Sequence, residues 1–162
     1  MVGIRVLGAF VVTCGDTQLS LHGRTRLLLQ ALLAQGTPSV SEARLSALLW
    51  PDSEGHRGRQ AFDTTLHRLR KELGRRDALV LQCGRLSLNP DKVAVDAFDF
   101  ENHATIPFGP TLDLPRLEAT LSLYRGPFLA ELDDAWVLAR RARLHARYLL
   151  LADQYGQALE TA

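Results

Sequence analysis

Five cationic side chains crowd one short stretch of this sequence. Residues 57–74, RGRQAFDTTLHRLRKELG, hold Arg57, Arg59, Arg68, Arg70 and Lys71 against only Asp63 and Glu72. Guanidinium and ammonium groups at this density suit anions, phosphate above all. The same stretch carries Gln60 and Thr64, whose side chains hydrogen-bond base edges or phosphate oxygens. Phe62, Leu66, Leu69 and Leu73 recur at i, i+4, i+7 and i+11. At about 100° per residue they make one narrow apolar stripe on a helix. Half a revolution away lie Arg57, Gln60, Thr64, Arg68 and Lys71, with His67 at the edge. The expected chemistry is non-covalent: a helix anchored by its apolar side offers a cationic strip to a polyanion. The plain alternative is a solvated helix face built from good helix formers.

The elements around this helix decide between the two. IRVLGAFVVTCGDTQLSL reads as a small antiparallel sheet over residues 3–22, with CGDTQ supplying the turn. RTRLLLQALLAQG reads as a helix stopped by Gly36, and TPSV as a short extended piece. Ser41 is a suitable N-cap for EARLSALLW, which Pro51 ends. PDSEGHRG reads as a polar loop, and the cationic helix then runs from about Arg59 to Leu73, closed by Gly74. ALVLQCGRLSLNPDKVAVD alternates apolar and polar about a turn holding Gly84 and Arg85, the pattern of a β-hairpin. Three helices followed by a hairpin is the order of a winged helix-turn-helix, whose third helix enters the major groove of DNA. On that reading Arg68 and Gln60 face base edges, and Thr64 faces a thymine methyl or a phosphate. Arg57, Arg59, Arg70 and Lys71 face phosphates, and Arg85 sits at the wing tip. Asp63, flanking the strip, is expected to pair with Arg59 or His67 at helical spacing.

The style changes at Asp96. Residues 1–95 hold 13 Lys/Arg against 8 Asp/Glu, whereas residues 96–162 hold 6 against 10, so a boundary is expected near Val95–Asp96. FDFENHATIPFGPTLDLP reads as a connector, LPRLEATLSLY as a helix, RGPFLAELDD as a break, and AWVLARRARLHARYLLLADQYGQALETA as a long helix of about 25 residues. Asp133 and Asp134 suit its N-terminus, and Trp136 is expected to anchor a core or interface.

Other chemistries find little support. His22, His56, His67, His103 and His145 show no ligand spacing with Cys or Glu, so no metal site is expected. No GxxxxGK[ST] cradle, no local signature of nucleophilic catalysis and no cofactor motif is present, and a non-enzyme without cofactors is expected. Cys14 and Cys83 lie far apart without a CxxC and read as reduced thiols. No signal peptide is visible and the longest apolar runs fall short of a membrane span, so a cytoplasmic protein without membrane contact is expected.

Two segments carry a resemblance. LLWPDSEGHRGRQAFDTTLHRLRKELG is similar to the OmpR-type winged helix of the Streptomyces antibiotic regulatory protein family, and LYRGPFLAELDDAWVLARRARL resembles the bacterial transcriptional activator domain that follows it there. DAFDFE, residues 96–101, looks like the joint between them. The resemblance implies an α+β chain: a winged helix-turn-helix domain over residues 1–95, then an all-α, tetratricopeptide-like segment over 96–162, shorter than the family's full activator domain. It implies a sequence-specific transcriptional activator that binds promoter direct repeats in double-stranded DNA, as a homodimer on the DNA, and engages RNA polymerase. The recognition helix maps onto residues 59–73 and the wing onto 79–88. Asp63 departs from the polar or basic residue common in relatives, so base preference does not transfer. The competing expectation is an interaction module whose cationic face docks an acidic protein instead of DNA.

Overall fold

The computed structural model describes residues 1–105 and 113–161. The chain forms two compact units, one of residues Met1–Gly3 with Val11–Ala94, the other of Ile4–Phe10 with Val95–Ala162.

In the first unit, three helices carry the core: α1 (Gly23–Ala34), α2 (Glu42–Leu49) and α3 (Gly55–Glu72). α3 packs against both α1 and α2. Phe62, Leu66, Leu69 and Leu73 on the α3 side are buried, as are Leu28, Leu29 and Leu33 of α1 and Leu45 and Leu49 of α2. Each such side chain contributes about 1.5–3 kcal/mol through removal from water, so the apolar stripe fixes which way α3 faces. α2 starts where Ser41 Oγ accepts the Arg44 N–H at 3.2 Å, which satisfies one orphan donor of its first turn. α3 ends at Glu72 with Leu73 as its C-cap, and Gly74 follows at φ +67°, the left-handed conformation that closes many helices.

A three-stranded antiparallel sheet borders these helices in the order β4 (Ser39–Ser41), β6 (Arg85–Leu88), β5 (Leu79–Gln82). Val40 faces Leu86, and Leu81 faces Leu86 from the other side. β5 and β6 form the hairpin expected from the sequence. Its two central residues, Cys83 and Gly84, have φ of +50° and +69°, the signature of a two-residue turn that matches strand twist. A second sheet has the order β3 (Thr17–Leu19), β2 (Val11–Cys14), β1 (Val2–Arg5), β7 (Val93–Val95). The N-terminal strands therefore do not stand alone: residues 93–95 join them, and Val2 N–H donates to Lys92 O at 2.8 Å.

The second unit is helical: α4 (Asp96–Thr105), α5 (Leu114–Leu123) and α6 (Ala135–Thr161), with α5 against both α4 and α6. Asp113 caps α5 by accepting the Arg116 N–H at 3.1 Å. Residues 6–8 run antiparallel to 127–129: Leu129 N–H donates to Val6 O, Gly8 N–H to Pro127 O, and Leu7 faces Phe128. Asp96 accepts the N–H of Val6 at 2.9 Å and of Leu7 at 3.2 Å.

Two sequence expectations need correction. α3 begins at Gly55, a turn before Arg59. Its polar first turn hid it in the sequence, and the side-chain-free Gly58 is buried there, where a Cβ would lie 3.6 Å from Ser53 O. Residues 96–105, read as connector and joint, are helix α4. Ala97, Phe100 and Ala104 recur at i, i+3 and i+7 and are all buried, a helical stripe obscured by the prolines and glycine beyond it. The rest of the expected connector, residues 106–112, lies outside the described residues.

Candidate nucleic-acid interface

The buried stripe turns the far side of α3 to solvent. Arg57, Gln60, Thr64, His67, Arg68 and Lys71 are all exposed there. Their side chains make no hydrogen bond or ion pair among the described residues. A helix of this width fits the major groove, and free guanidinium, ammonium and amide groups are what phosphates and base edges require. α3 also places Arg70 and Lys71 in its last turn, where cations complement the helix dipole.

Three predicted site residues have partners inside the chain. The Arg70 guanidinium, half-buried, donates to Leu79 O from Nε at 3.2 Å and from Nη2 at 2.9 Å. It ties α3 to the first strand of the hairpin. Arg59 Nε lies 3.3 Å from Glu42 Oε1 on α2. Arg85 donates to Ser39 Oγ at 2.9 Å and to Ser39 O at 2.7 Å, so it braces the hairpin against β4. Helical geometry explains the first two. Arg59 and Arg70 sit about 50–70° from the centre of the buried stripe, on a shoulder of the helix where neighbouring elements come within reach. Asp63 does not pair as expected: it is exposed, and Arg59 goes to Glu42 instead.

Residues that the sequence did not single out complete the surroundings. An open groove of about 530 Å³ runs between α2, the first turn of α3 and the hairpin tip, with Glu42, Ser46, Trp50, Gly58, Arg59 and Gly84 on its walls. Glu42 is held from two sides, its N–H donating to Gly84 O at 2.9 Å and its carboxylate meeting Arg59. At the other end of α2, Arg24 Nη1 donates to Leu49 O at 2.6 Å and its guanidinium lies 5.8 Å from the Trp50 ring, a cation capping helix carbonyls.

In the second unit one arginine is buried and two more are engaged by backbone carbonyls. Arg140 is 3% exposed, 2.6 Å from Glu101 Oε2 and flanked by the rings of Phe98 and Phe128. Burial pushes its pKa down while Glu101 opposes the shift. Arg141 donates to the carbonyls of Phe128, Leu129 and Leu132, and Arg147 to that of Ala104. Trp136 is half-buried in the first turn of α6. No group of three or more His, Cys, Asp or Glu side chains converges on a metal-sized site among the described residues. No described helix is long and apolar enough to cross a membrane.

No family model matches the chain, and no curated protein matches it in sequence. Among solved structures it is similar to Mycobacterium tuberculosis EmbR in complex with a low-affinity phosphopeptide, with a TM-score of 0.74 over 97% of this chain at 22% identity. The chain spans 45% of the length of that EmbR chain. At this identity the likeness shows the fold: a winged helix followed by a helical unit.

Proposed function

We propose that this chain is a sequence-specific, DNA-binding transcriptional regulator of the Streptomyces antibiotic regulatory protein type. The first unit is its OmpR-type DNA-binding part. The helices from residue 96 onward act as a tetratricopeptide-like activator segment that engages RNA polymerase and supports pairing of copies on promoter direct repeats. The observation that carries this reading is the outward face of α3, where Arg57, Gln60, Thr64, His67, Arg68 and Lys71 stand exposed and unengaged opposite a fully buried apolar stripe. No covalent chemistry is invoked. Affinity comes from neutralised phosphates, and sequence preference from Gln60 and Arg68.

Selection of bound sequences from a random duplex pool tests this directly. An enriched motif repeated in direct orientation is expected, with affinity that falls steeply as salt rises. Arg68→Ala is expected to flatten the preference at one position by about 1–3 kcal/mol. Recovery of no motif, with a protein that stays monodisperse and folded, contradicts the reading.

A further inference from the structure

Arg59 and Glu42 form a pair whose two members are unequally exposed. The Arg59 side chain is 71% exposed and the Glu42 side chain 13%. The carboxylate is therefore a fixture of the fold and the guanidinium is the movable partner. Glu42 is pinned by its own backbone: it follows the N-cap Ser41, and its N–H donates to Gly84 O at the hairpin tip. Gly58 contributes no side chain to the groove wall between them. Arg59 thus sits on the rim between α3 and the hairpin, where a DNA backbone seated on both would pass, with a fixed negative charge beside it.

An exposed ion pair of this kind adds little to stability. It still cancels one positive charge at short range, and a phosphate arriving there meets both members. A cation that is already neutralised releases no counterion from DNA when it binds.

We infer that Glu42 is a charge mask: it withholds Arg59 from the DNA backbone and so limits sequence-independent affinity, leaving Arg57 and Lys71 as the phosphate-facing cations of α3. This rests on the DNA-binding reading above. It assigns Glu42, a residue outside the recognition helix and the wing, to the setting of affinity.

The test is a double-mutant cycle on the whole chain: wild type, Glu42→Gln, Arg59→Ala and the double variant, each titrated with one mixed-sequence duplex across a salt series. Glu42→Gln is isosteric and keeps the backbone bond to Gly84. It is expected to tighten binding roughly three- to tenfold at low salt and to steepen the log–log salt slope by about 0.9, one phosphate contact. Arg59→Ala alone is expected to bind within about twofold of wild type, and the double variant to bind like Arg59→Ala. A Glu42→Gln protein with unchanged or weaker binding overturns the inference. So does an Arg59→Ala loss as large in wild type as in the Glu42→Gln background. Equal thermal melting of the four proteins separates these results from misfolding. If none of the four binds any duplex at any salt concentration, the DNA reading falls and the mask falls with it; binding by wild type with a flat cycle sinks the mask alone.

Discussion

At the scale of single residues, cations on one helix divide into two kinds by angle. Arg68 projects free, whereas Arg70 spends two donors on Leu79 O. Arg70→Ala is therefore expected to destabilise the protein by about 1–3 kcal/mol, since it strips a charge-assisted bond and its packing. Arg68→Ala should stay within about 0.5 kcal/mol of wild type. Urea unfolding of the two variants checks this, and equal midpoints would show that the Leu79 contact carries no stability. Sequence spacing made the strip visible, but it could not say which shoulder cations would be captured. That depends on Glu42 and Leu79, which are remote in sequence from Arg59 or set on another element. Asp96 gives a pH prediction. Burial raises its pKa, against the N–H groups of Val6, Leu7 and Ala97 and the charge of Arg125, which lower it. Between the ordinary carboxylate pKa and the raised one, the folded state holds more protons than the unfolded. Stability from this residue is therefore fully present below that window and declines as pH rises through it. The stability of wild type relative to Asp96→Asn should fall across the window, and a rise would show that the N–H donors outweigh burial.

At the scale of elements, the second unit depends on a loop that reads as a simple break in the sequence. Residues 127–129 pair with 6–8, and Leu129 adopts φ +44°, uncommon for a branched side chain. Arg141 of α6 donates to three carbonyls of this loop, those of Phe128, Leu129 and Leu132. Arg141→Ala is expected to cost about 2–3 kcal/mol, with Arg141→Lys restoring only part, because an ammonium cannot span the same three acceptors. Gly126→Ala tests the same loop from the other side. A Cβ there would sit 3.1 Å from the Gly8 Cα, so backbone must move, at about 1–3 kcal/mol. Calorimetry that finds either alanine variant as stable as wild type would contradict this account of the loop. The helices α1, α2, α3 and α5 and the hairpin were legible because apolar residues recur at regular spacing between Ser, Gly or Pro, and α6 because a long run of helix formers follows Asp133 and Asp134. α4 was not, because its stripe of Ala97, Phe100 and Ala104 is weakly apolar and runs directly into a proline- and glycine-containing stretch. The pairing of residues 6–8 with 127–129 was invisible for another reason: contacts across about 120 residues leave no local pattern.

At the scale of the whole molecule, a near-neutral chain can present a cationic face because its charges are unevenly used. The formal net charge is +1, yet Arg140, Arg141 and Arg147 are engaged within the helical unit while Arg57, Arg68 and Lys71 remain available on α3. Net charge therefore says little about partners, and the distribution of unengaged cations says more. The proposed docking site for duplex DNA is the outward face of α3. Titrating the ¹⁵N-labelled chain with a mixed-sequence duplex at low salt tests it most directly. The predicted result is chemical-shift change concentrated on Arg57, Gln60, Thr64, His67, Arg68 and Lys71 and on the Cys83–Gly84 turn, lost as salt is raised. Changes confined to α4, α5 and α6, or none at any DNA concentration, would contradict it.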